Sequence, residues 1–119
     1  MRRFRIRGLT PAALATLLAV SPAGATPAAP PLIEMRSFQF SPPELTVAAG
    51  TRITWTNRDP EPHTVASVDG KFRSGALDEG ESFSFTFEAP GTYRYVCSIH
   101  PQMAGRIVVT AAKRSGHVA

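Results

Sequence analysis

Three side chains that could bind a metal stand close together near the carboxyl end of this sequence. The segment Cys-Ser-Ile-His-Pro-Gln-Met contains the chain's single cysteine, Cys97, followed by His100 and Met103. Thiolate, imidazole and thioether are soft or borderline ligands that together suit copper. One thiolate and two imidazoles in a trigonal arrangement, with a weak axial thioether, define the blue-copper type of site. The segment therefore predicts three of the four ligands, and the second imidazole must come from elsewhere.

The two remaining histidines, His63 and His117, stand in different surroundings. His117 lies in a polar C-terminal tail, where a histidine is solvated by default. His63 begins an extended run directly after a proline-bearing loop, and Pro62 restricts the backbone at that point. We therefore predict that His63 supplies the second imidazole. A ligand on a separate strand would tie the metal to the body of the fold, while one loop supplies the other three.

The beginning of the chain is predicted to be an export signal. Four arginines lie within the first seven residues, an Ala/Leu-rich run follows at 10–20, and Ala23-Gly24-Ala25 is a small-x-small cleavage pattern. We predict a signal peptide at 1–25, an Ala/Pro-rich lead-in at 26–31, one domain at 32–110 and a flexible tail at 111–119. A membrane anchor is disfavoured because the apolar run is shorter than the roughly 20 residues that span a bilayer.

The positive charge of the chain belongs mainly to this signal. The sequence has 13 Lys or Arg and 9 Asp or Glu, with a formal net charge of +4. Four of the 13 basic residues lie in the predicted signal, so removing 25 of 119 residues leaves 94 that carry nine charges of each sign. A nearly neutral mature protein gives no support for nucleic-acid binding.

The mature domain is predicted to be all-β. Alternation of apolar and polar residues indicates short strands, most clearly where Phe83, Phe85 and Phe87 alternate with small polar residues. Asp-Gly and Pro-Gly pairs mark turns between the strands, and a change of parity near Ser37 predicts a β-bulge. Seven or eight such strands without an amphipathic helix are typical of a Greek-key antiparallel β-sandwich. Trp55 and the phenylalanines are predicted to form its core.

Each candidate ligand taken alone has a simpler explanation. His63 could be an ordinary histidine at a strand end, Met103 a core methionine, and Cys97 a buried, inert thiol. A single Cys-x-x-His pair is weak evidence for any metal. A lone thiol in an oxidising compartment is nevertheless open to oxidation, so its presence there requires a reason. The metal prediction rests on the combination of the only cysteine, two histidines and a methionine in one exported β-domain.

The sequence resembles the cupredoxins, a family of small blue copper proteins, and its ligand segment has the Cys-x-x-His-x-x-Met spacing of the amicyanins. The resemblance covers nearly all of the mature chain, and its motifs include Trp55-Thr56-Asn57, Pro62-His63-Thr64-Val65, Phe83-Ser84-Phe85 and Pro90-Gly91-Thr92-Tyr93. It implies a cupredoxin-like β-sandwich and one copper ion in a type 1 site. It also implies that the copper ligands are His63, Cys97, His100 and Met103.

The resemblance assigns a supporting role to Asn57, and the sequence departs from the family pattern at Thr64 and Val96. Asn57, six positions before His63, would tie the two ligand-bearing loops together by hydrogen bonds near the sulfur and so orient the ligands. Thr64 stands where amicyanins and plastocyanins often have asparagine, and Val96 precedes the cysteine where amicyanins have a polar residue. Neither is expected to touch the ligands.

The function that the resemblance implies is electron transfer in the periplasm, with no catalytic activity. The partner would be another redox protein, such as a c-type cytochrome or a periplasmic dehydrogenase or reductase, and the carrier itself a monomer without a stable membrane anchor. An enzyme of this family would need a second copper site, for which this chain has no histidines to spare. Copper delivery or storage is the alternative, and it would favour several exposed, exchange-ready ligands.

Overall fold

The computed structural model describes Gly8, residues 11–13, 15 and 16, and residues 30–112. These residues leave out most of the predicted signal peptide and most of the lead-in. They also leave out the tail from residue 113, which contains His117. The predicted domain boundaries therefore stay predictions. Within the described residues, no helix is both long and apolar enough to cross a membrane.

The described domain consists of eight strands in two four-stranded sheets. The strands are β1 (Leu32–Arg36), β2 (Gln39–Ser41), β3 (Glu44–Ala48), β4 (Thr51–Asn57), β5 (Ala66–Ser67), β6 (Ser82–Phe87), β7 (Gly91–Val96) and β8 (Ala104–Thr110). The first sheet has the order β2-β1-β4-β6, and the second has the order β3-β8-β7-β5. The predicted all-β sandwich of seven or eight strands is confirmed.

The pairing within the sheets is mixed, which differs from the wholly antiparallel arrangement expected. β1 runs parallel to β4, and β3 runs parallel to β8, while the other four pairings are antiparallel. Both parallel pairs join strands that are not consecutive in the chain. Such pairs are selected by long-range packing, whereas turn residues report only on neighbouring strands.

The parity change near Ser37 is produced by a chain reversal, so the predicted bulge is wrong. Arg36 pairs with Gln39 across the β1–β2 hairpin, which leaves Ser37 and Phe38 as a two-residue turn. The φ angles of these two residues are 52° and 58°. Two consecutive positive φ values are what a type I′ hairpin turn requires, and asparagine or glycine usually supplies them.

Aromatic side chains fill the space between the sheets around Trp55, which is fully buried. The centroid of its indole lies 5.8 Å from the rings of both Phe72 and Phe83. Phe87 is buried as predicted, whereas Phe83 and Phe85 are partly buried and pack against the core. Their partial exposure follows from the position of β6 at the edge of its sheet. The core prediction is therefore correct for Trp55 and Phe87 and only partly correct for the other two phenylalanines.

Two tyrosines on β7 fix the strand that leads to the predicted ligand loop. The hydroxyl of Tyr93 donates to the carbonyl of Ala89 at 2.6 Å, the arrangement of a tyrosine corner. Tyr95 is fully buried opposite Gly105 on β8, and burial raises the pKa of its hydroxyl to about 12. A Cβ atom on Gly105 would overlap Cζ of Tyr95, so the ring occupies the space that a side chain would need.

Candidate metal centre

The predicted ligands come from two separate segments that meet at one end of the sandwich. His63 lies between β4 and β5 and forms an isolated bridge with Leu77, in which the N–H of each donates to the carbonyl of the other at 3.1 and 2.7 Å. Cys97 follows the last residue of β7, and Met103 directly precedes β8. One ligand is therefore held by the loops beside β4, and the others by the connection from β7 to β8.

The connection from β7 to β8 is closed by its own backbone. The N–H of Cys97 donates to the carbonyl of Met103 at 3.0 Å, and the N–H of Met103 donates to the carbonyl of His100 at 2.9 Å. These two bonds link the first, middle and last predicted ligands of the segment. The loop therefore has a defined shape in the protein itself, and its three side chains start from fixed backbone positions.

The donor atoms of His63, Cys97 and His100 converge. All three lie within 4.8 Å of one another. The Nδ1 atoms of the two imidazoles are 3.3 Å apart, and the sulfur of Cys97 lies 4.0 Å from Nδ1 of His63 and 3.9 Å from Nδ1 of His100. One thiol and two imidazole nitrogens facing a common point fit the donor set of a type 1 copper site.

The four predicted ligands differ in their access to solvent. His63, Cys97 and Met103 are buried, whereas His100 is partly exposed. Met103 is buried next to the loop, but the convergence of donor atoms concerns only the other three. The assignment of all four as copper ligands stays a prediction. His117, the histidine not chosen as a ligand, lies outside the described residues.

An aspartate that sequence reasoning missed orients the imidazole of His63. Oδ2 of Asp59 lies 2.8 Å from Nε2 of His63. Burial alone would raise the pKa of Asp59, but hydrogen bonds from Phe38 N–H, from His63 and from Ser37 N–H lower it overall. An ionised carboxylate can only accept a hydrogen bond, so Nε2 of His63 is the donor to Asp59, and Nδ1 is the nitrogen that faces Cys97 and His100.

Thr64 also contacts the site, contrary to expectation. Its N–H donates to the sulfur of Cys97 at 3.4 Å, and its Oγ1 lies 3.9 Å from the same sulfur. That hydroxyl also accepts from the N–H of Ser98 at 2.7 Å and lies 2.7 Å from Oγ of Ser98. Thr64 therefore connects the segment of His63 to the segment of Cys97, and the prediction that it does not touch the ligands is wrong.

Asn57 does not make the hydrogen bonds that were expected between the two ligand-bearing loops. Its side-chain amide is fully buried and donates to the carbonyls of Glu61 and Leu77, both at 2.8 Å. Its Oδ1 accepts from the N–H of Asp59 at 2.9 Å. These bonds order the loop before His63 and the segment that bridges it, but none of them reaches the segment of Cys97. The expected hydrogen bonds between the two ligand-bearing loops are made by Thr64.

Three exposed apolar residues lie next to His100, two of them as its neighbours in the chain. Ile99 is 46% exposed, Phe38 is 38% exposed, and Pro101 is also exposed. The ring of Phe38 lies edge-on to both imidazoles, with centroids 5.3 Å from His63 and 4.9 Å from His100. Phe38 lies in a turn with positive φ angles that lacks the glycine or asparagine usually found there. Its position beside the histidines could therefore not be predicted from the sequence.

Comparisons with known proteins show which family this chain resembles. The family model of the Cupredoxin-like domain matches residues 9–109. Amicyanin-alpha of Methylorubrum extorquens is 35% identical over 94 residues, which cover 75% of this chain and 75% of that protein.

Solved structures place the fold in the same group. An oxidised amicyanin variant superposes with a TM-score of 0.65 at 31% identity, covering 68% of this chain and 82% of that one. A purple cupredoxin from Nitrosopumilus maritimus superposes with a TM-score of 0.63 at 35% identity, covering 67% of this chain and 99% of that one.

These comparisons and the converging donors bear on the cofactor together. A buried thiol and two imidazole nitrogens form the donor set that type 1 copper uses. The prediction of one copper ion as the cofactor is confirmed, because the family and the donor chemistry point to the same metal. The match of the family model over most of the chain, together with the relatives of the same fold, shows that this chain belongs to the cupredoxin family.

Proposed function

We propose that this chain is an exported electron carrier in which His63, Cys97, His100 and Met103 hold one copper ion. The observation that carries the proposal is the convergence of one buried thiol and two imidazole nitrogens within 4.8 Å. Copper bound to such a set supplies reversible one-electron chemistry. The protein would then have to keep these donor atoms in fixed positions and let electrons pass between the copper and another redox protein.

Rigid placement of the donors supports a carrier. Backbone hydrogen bonds close the loop between Cys97 and Met103, Asp59 holds the imidazole of His63, and Thr64 contacts the sulfur. All of these bonds join groups of the protein itself, so the protein's own structure fixes where the donor atoms lie. Fixed donors keep small the rearrangement that accompanies a change of oxidation state, and small rearrangement makes electron transfer fast.

The exposure of His100 supports a route for the electron. Of the four proposed ligands it alone reaches the surface, where Phe38, Ile99 and Pro101 surround it. An apolar surface around one exposed imidazole edge suits brief contact with another redox protein. We propose as partner a c-type cytochrome or a periplasmic dehydrogenase or reductase. The relatives found are amicyanins and plastocyanins, and a role without catalytic activity is proposed on that ground.

The direct test is the spectrum of the copper-loaded protein. We expect an intense visible absorption from a copper–thiolate bond and a reversible one-electron titration, both of which Cys97→Ser should abolish. Met103→Gln should keep a coloured site and lower the potential, because a harder axial oxygen favours Cu(II). A Cys97→Ser protein that keeps the colour contradicts the thiolate assignment, and an unmoved potential in Met103→Gln contradicts the axial role.

The same protein distinguishes a carrier from a copper-delivery protein. Delivery favours exposed, exchange-ready ligands, whereas three of the four proposed ligands are buried here. A carrier should keep Cu(I) when mixed with a chelator of moderate affinity and should cycle reversibly between its two states. Colourless Cu(I) that passes readily to the chelator would favour delivery instead.

Export to the periplasm forms the last part of the proposal. It is supported by the basic, apolar and small-residue pattern of residues 1–25. Expression of the whole chain in a Gram-negative host, followed by mass measurement of the periplasmic protein, should show cleavage after Ala25. An uncleaved protein retained in the cytoplasm would contradict export without affecting the copper assignment.

A further inference from the structure

The two-residue turn between β1 and β2 has an unusual residue at a strained position. Phe38 has a φ of 58°, and Ser37 before it has a φ of 52°. Left-handed backbone is rare for residues with bulky side chains and is normally given to glycine or asparagine in such hairpin turns. Strain that persists at one position indicates that the side chain there has a use that offsets it.

The ring of Phe38 uses this backbone position to reach both metal-facing histidines. Its plane is inclined at 80° to the imidazole of His63 and at 87° to that of His100, with centroids 5.3 and 4.9 Å away. Edge-to-face contacts of this kind are favourable beyond the area that they bury. The same ring is 38% exposed, so its position is not explained by burial in the core.

One carboxylate holds the turn and one of the histidines at the same time. The N–H of Ser37 donates to Oδ1 of Asp59 at 2.7 Å, and the N–H of Phe38 donates to Oδ2 at 2.9 Å. The same Oδ2 lies 2.8 Å from Nε2 of His63. A displacement of the turn therefore moves the carboxylate, and a displacement of the carboxylate moves the imidazole.

We propose that the Ser37-Phe38 turn is a clamp that positions the two histidines, with Phe38 as the positioning residue and Asp59 as its anchor. This inference rests on the proposed copper site and adds to it the group that keeps His100 in place. His100 lies in a short loop and is partly exposed, and the ring of Phe38 contacts its imidazole edge-to-face. The clamp acts on the protein before metal binding, so it can be measured without copper.

The test compares three variants with the full-length mature protein. Phe38→Gly removes the ring and relaxes the backbone, because glycine accepts a positive φ without strain. Phe38→Tyr keeps the ring edge. Leu32→Ala is the matched control, since Leu32 is another exposed apolar residue, 45% exposed, at the opposite end of β1.

The first measurement is NMR of the metal-free protein. We expect ring-to-ring cross-peaks from Phe38 to both imidazoles in the parent protein and in Phe38→Tyr. In Phe38→Gly, we expect averaged His100 ring signals and an unfolding midpoint that does not fall. Sharp, unshifted His100 signals in Phe38→Gly would overturn the clamp, as would a parent protein without cross-peaks from Phe38.

The second measurement is the rate at which Cu(I) passes to a competing chelator. Since one edge-to-face contact shifts an equilibrium by roughly two- to tenfold, Phe38→Gly should release Cu(I) faster by about that factor. Phe38→Tyr and Leu32→Ala should behave like the parent protein, and equal release from Phe38→Gly would overturn the clamp. A parent protein that never forms a coloured copper site would contradict the proposed function instead, and the metal-free NMR would still decide on the clamp.

Asp59→Asn tests the anchor separately. An asparagine amide has one acceptor oxygen, so it cannot accept from both turn N–H groups and also hold Nε2 of His63 as the carboxylate does. We expect weaker cross-peaks between Phe38 and His100, although neither of those residues is changed. Undiminished cross-peaks in Asp59→Asn would overturn the role of Asp59 in the clamp.

Discussion

Thr64 shows at the residue scale how one side chain can join the two halves of the site. Its hydroxyl accepts from the N–H of Ser98 and lies within hydrogen-bonding distance of Oγ of Ser98, both at 2.7 Å. Its own N–H points at the sulfur of Cys97. One short side chain and its own N–H therefore contact both the backbone and the side chain of the segment that carries Cys97.

Thr64→Val should destabilise the metal-free protein by about 1–2 kcal/mol, because the N–H of Ser98 loses its acceptor in a partly buried position. The shape of the side chain and the N–H contact to the sulfur are kept. Unfolding in urea measures the change. Ser98→Ala is the control, since it removes the hydroxyl pair but leaves the N–H of Ser98 bonded to Thr64. Equal stability of the two variants would contradict the importance of that N–H bond.

The proposed copper ligands could be chosen from the sequence because their chemistry is concentrated in few residues. One cysteine, three histidines and a Cys-x-x-His-x-x-Met segment leave few ways to build a copper site. The residues around them could not be predicted equally well. Asp59 and Phe38 are ordinary loop residues in sequence, and their contacts with His63 depend on how the β1–β2 hairpin folds back over the site.

At the element scale, the two tyrosines on β7 differ in whether the hydroxyl has a hydrogen-bond partner. The hydroxyl of Tyr93 donates to Ala89, and this bond ties the start of β7 to the turn before it. The hydroxyl of Tyr95 is buried and has no hydrogen-bond partner among the described residues, as is also the case for Nε1 of Trp55. Removing the hydroxyl of Tyr93 therefore breaks a hydrogen bond, whereas removing that of Tyr95 removes a buried polar group without a partner.

Tyr93→Phe should lower the free energy of unfolding by about 1 kcal/mol, because the carbonyl of Ala89 loses its donor while the ring remains. Tyr95→Phe should leave the stability unchanged or raise it slightly, because it removes a buried hydroxyl that makes no bond. Paired chemical-denaturation curves of the two variants measure this difference. A larger loss in Tyr95→Phe than in Tyr93→Phe would show that the buried hydroxyl has a partner in solution.

The pairing of β7 with β8 depends on the absence of a side chain at Gly105. Gly105→Ala should cost about 1–3 kcal/mol, because a Cβ at this position would overlap the ring of Tyr95 and force the ring or the strand to move. Gly75→Ala is the matched control, since a Cβ there meets nothing within 4 Å and the residue has no positive φ. Thermal unfolding compares the two. A Gly105→Ala protein as stable as Gly75→Ala would contradict the close packing.

Strands in which apolar and polar residues alternate strictly could be predicted from the sequence. The strands with which they pair could not be predicted as well. β6 follows from the regular spacing of Phe83, Phe85 and Phe87, yet its edge position, which leaves two of these rings partly exposed, depends on the whole sheet. The parallel pairs β1–β4 and β3–β8 leave no mark in the local pattern. The two-residue turn escaped prediction because Ser37-Phe38 lacks the glycine or asparagine that signals a positive φ.

At the scale of the whole molecule, the core of the β-sandwich consists mostly of residues other than the proposed ligands. Its buried apolar residues come from both sheets and from the segment between β5 and β6, where Phe72 and Leu77 complete the packing around Trp55. The site lies at one end, where segments from both sheets meet. The loop hydrogen bonds that position the donors are made by the protein itself. We therefore expect the core and these loop hydrogen bonds to persist without copper.

The metal-free protein should therefore be folded, with native-like β-structure in circular dichroism, and copper should raise its melting temperature. A ligand that binds only the folded state stabilises it according to its excess over the dissociation constant, by about 2.7 kcal/mol at a hundredfold excess. Calorimetric scans with increasing copper measure the shift. Cys97→Ser is the control, because the loss of the thiolate should reduce the shift without unfolding the core. A random-coil spectrum of the metal-free protein would show that copper is needed to form the sandwich, and an equal shift in Cys97→Ser would show that copper stabilises the fold from another place.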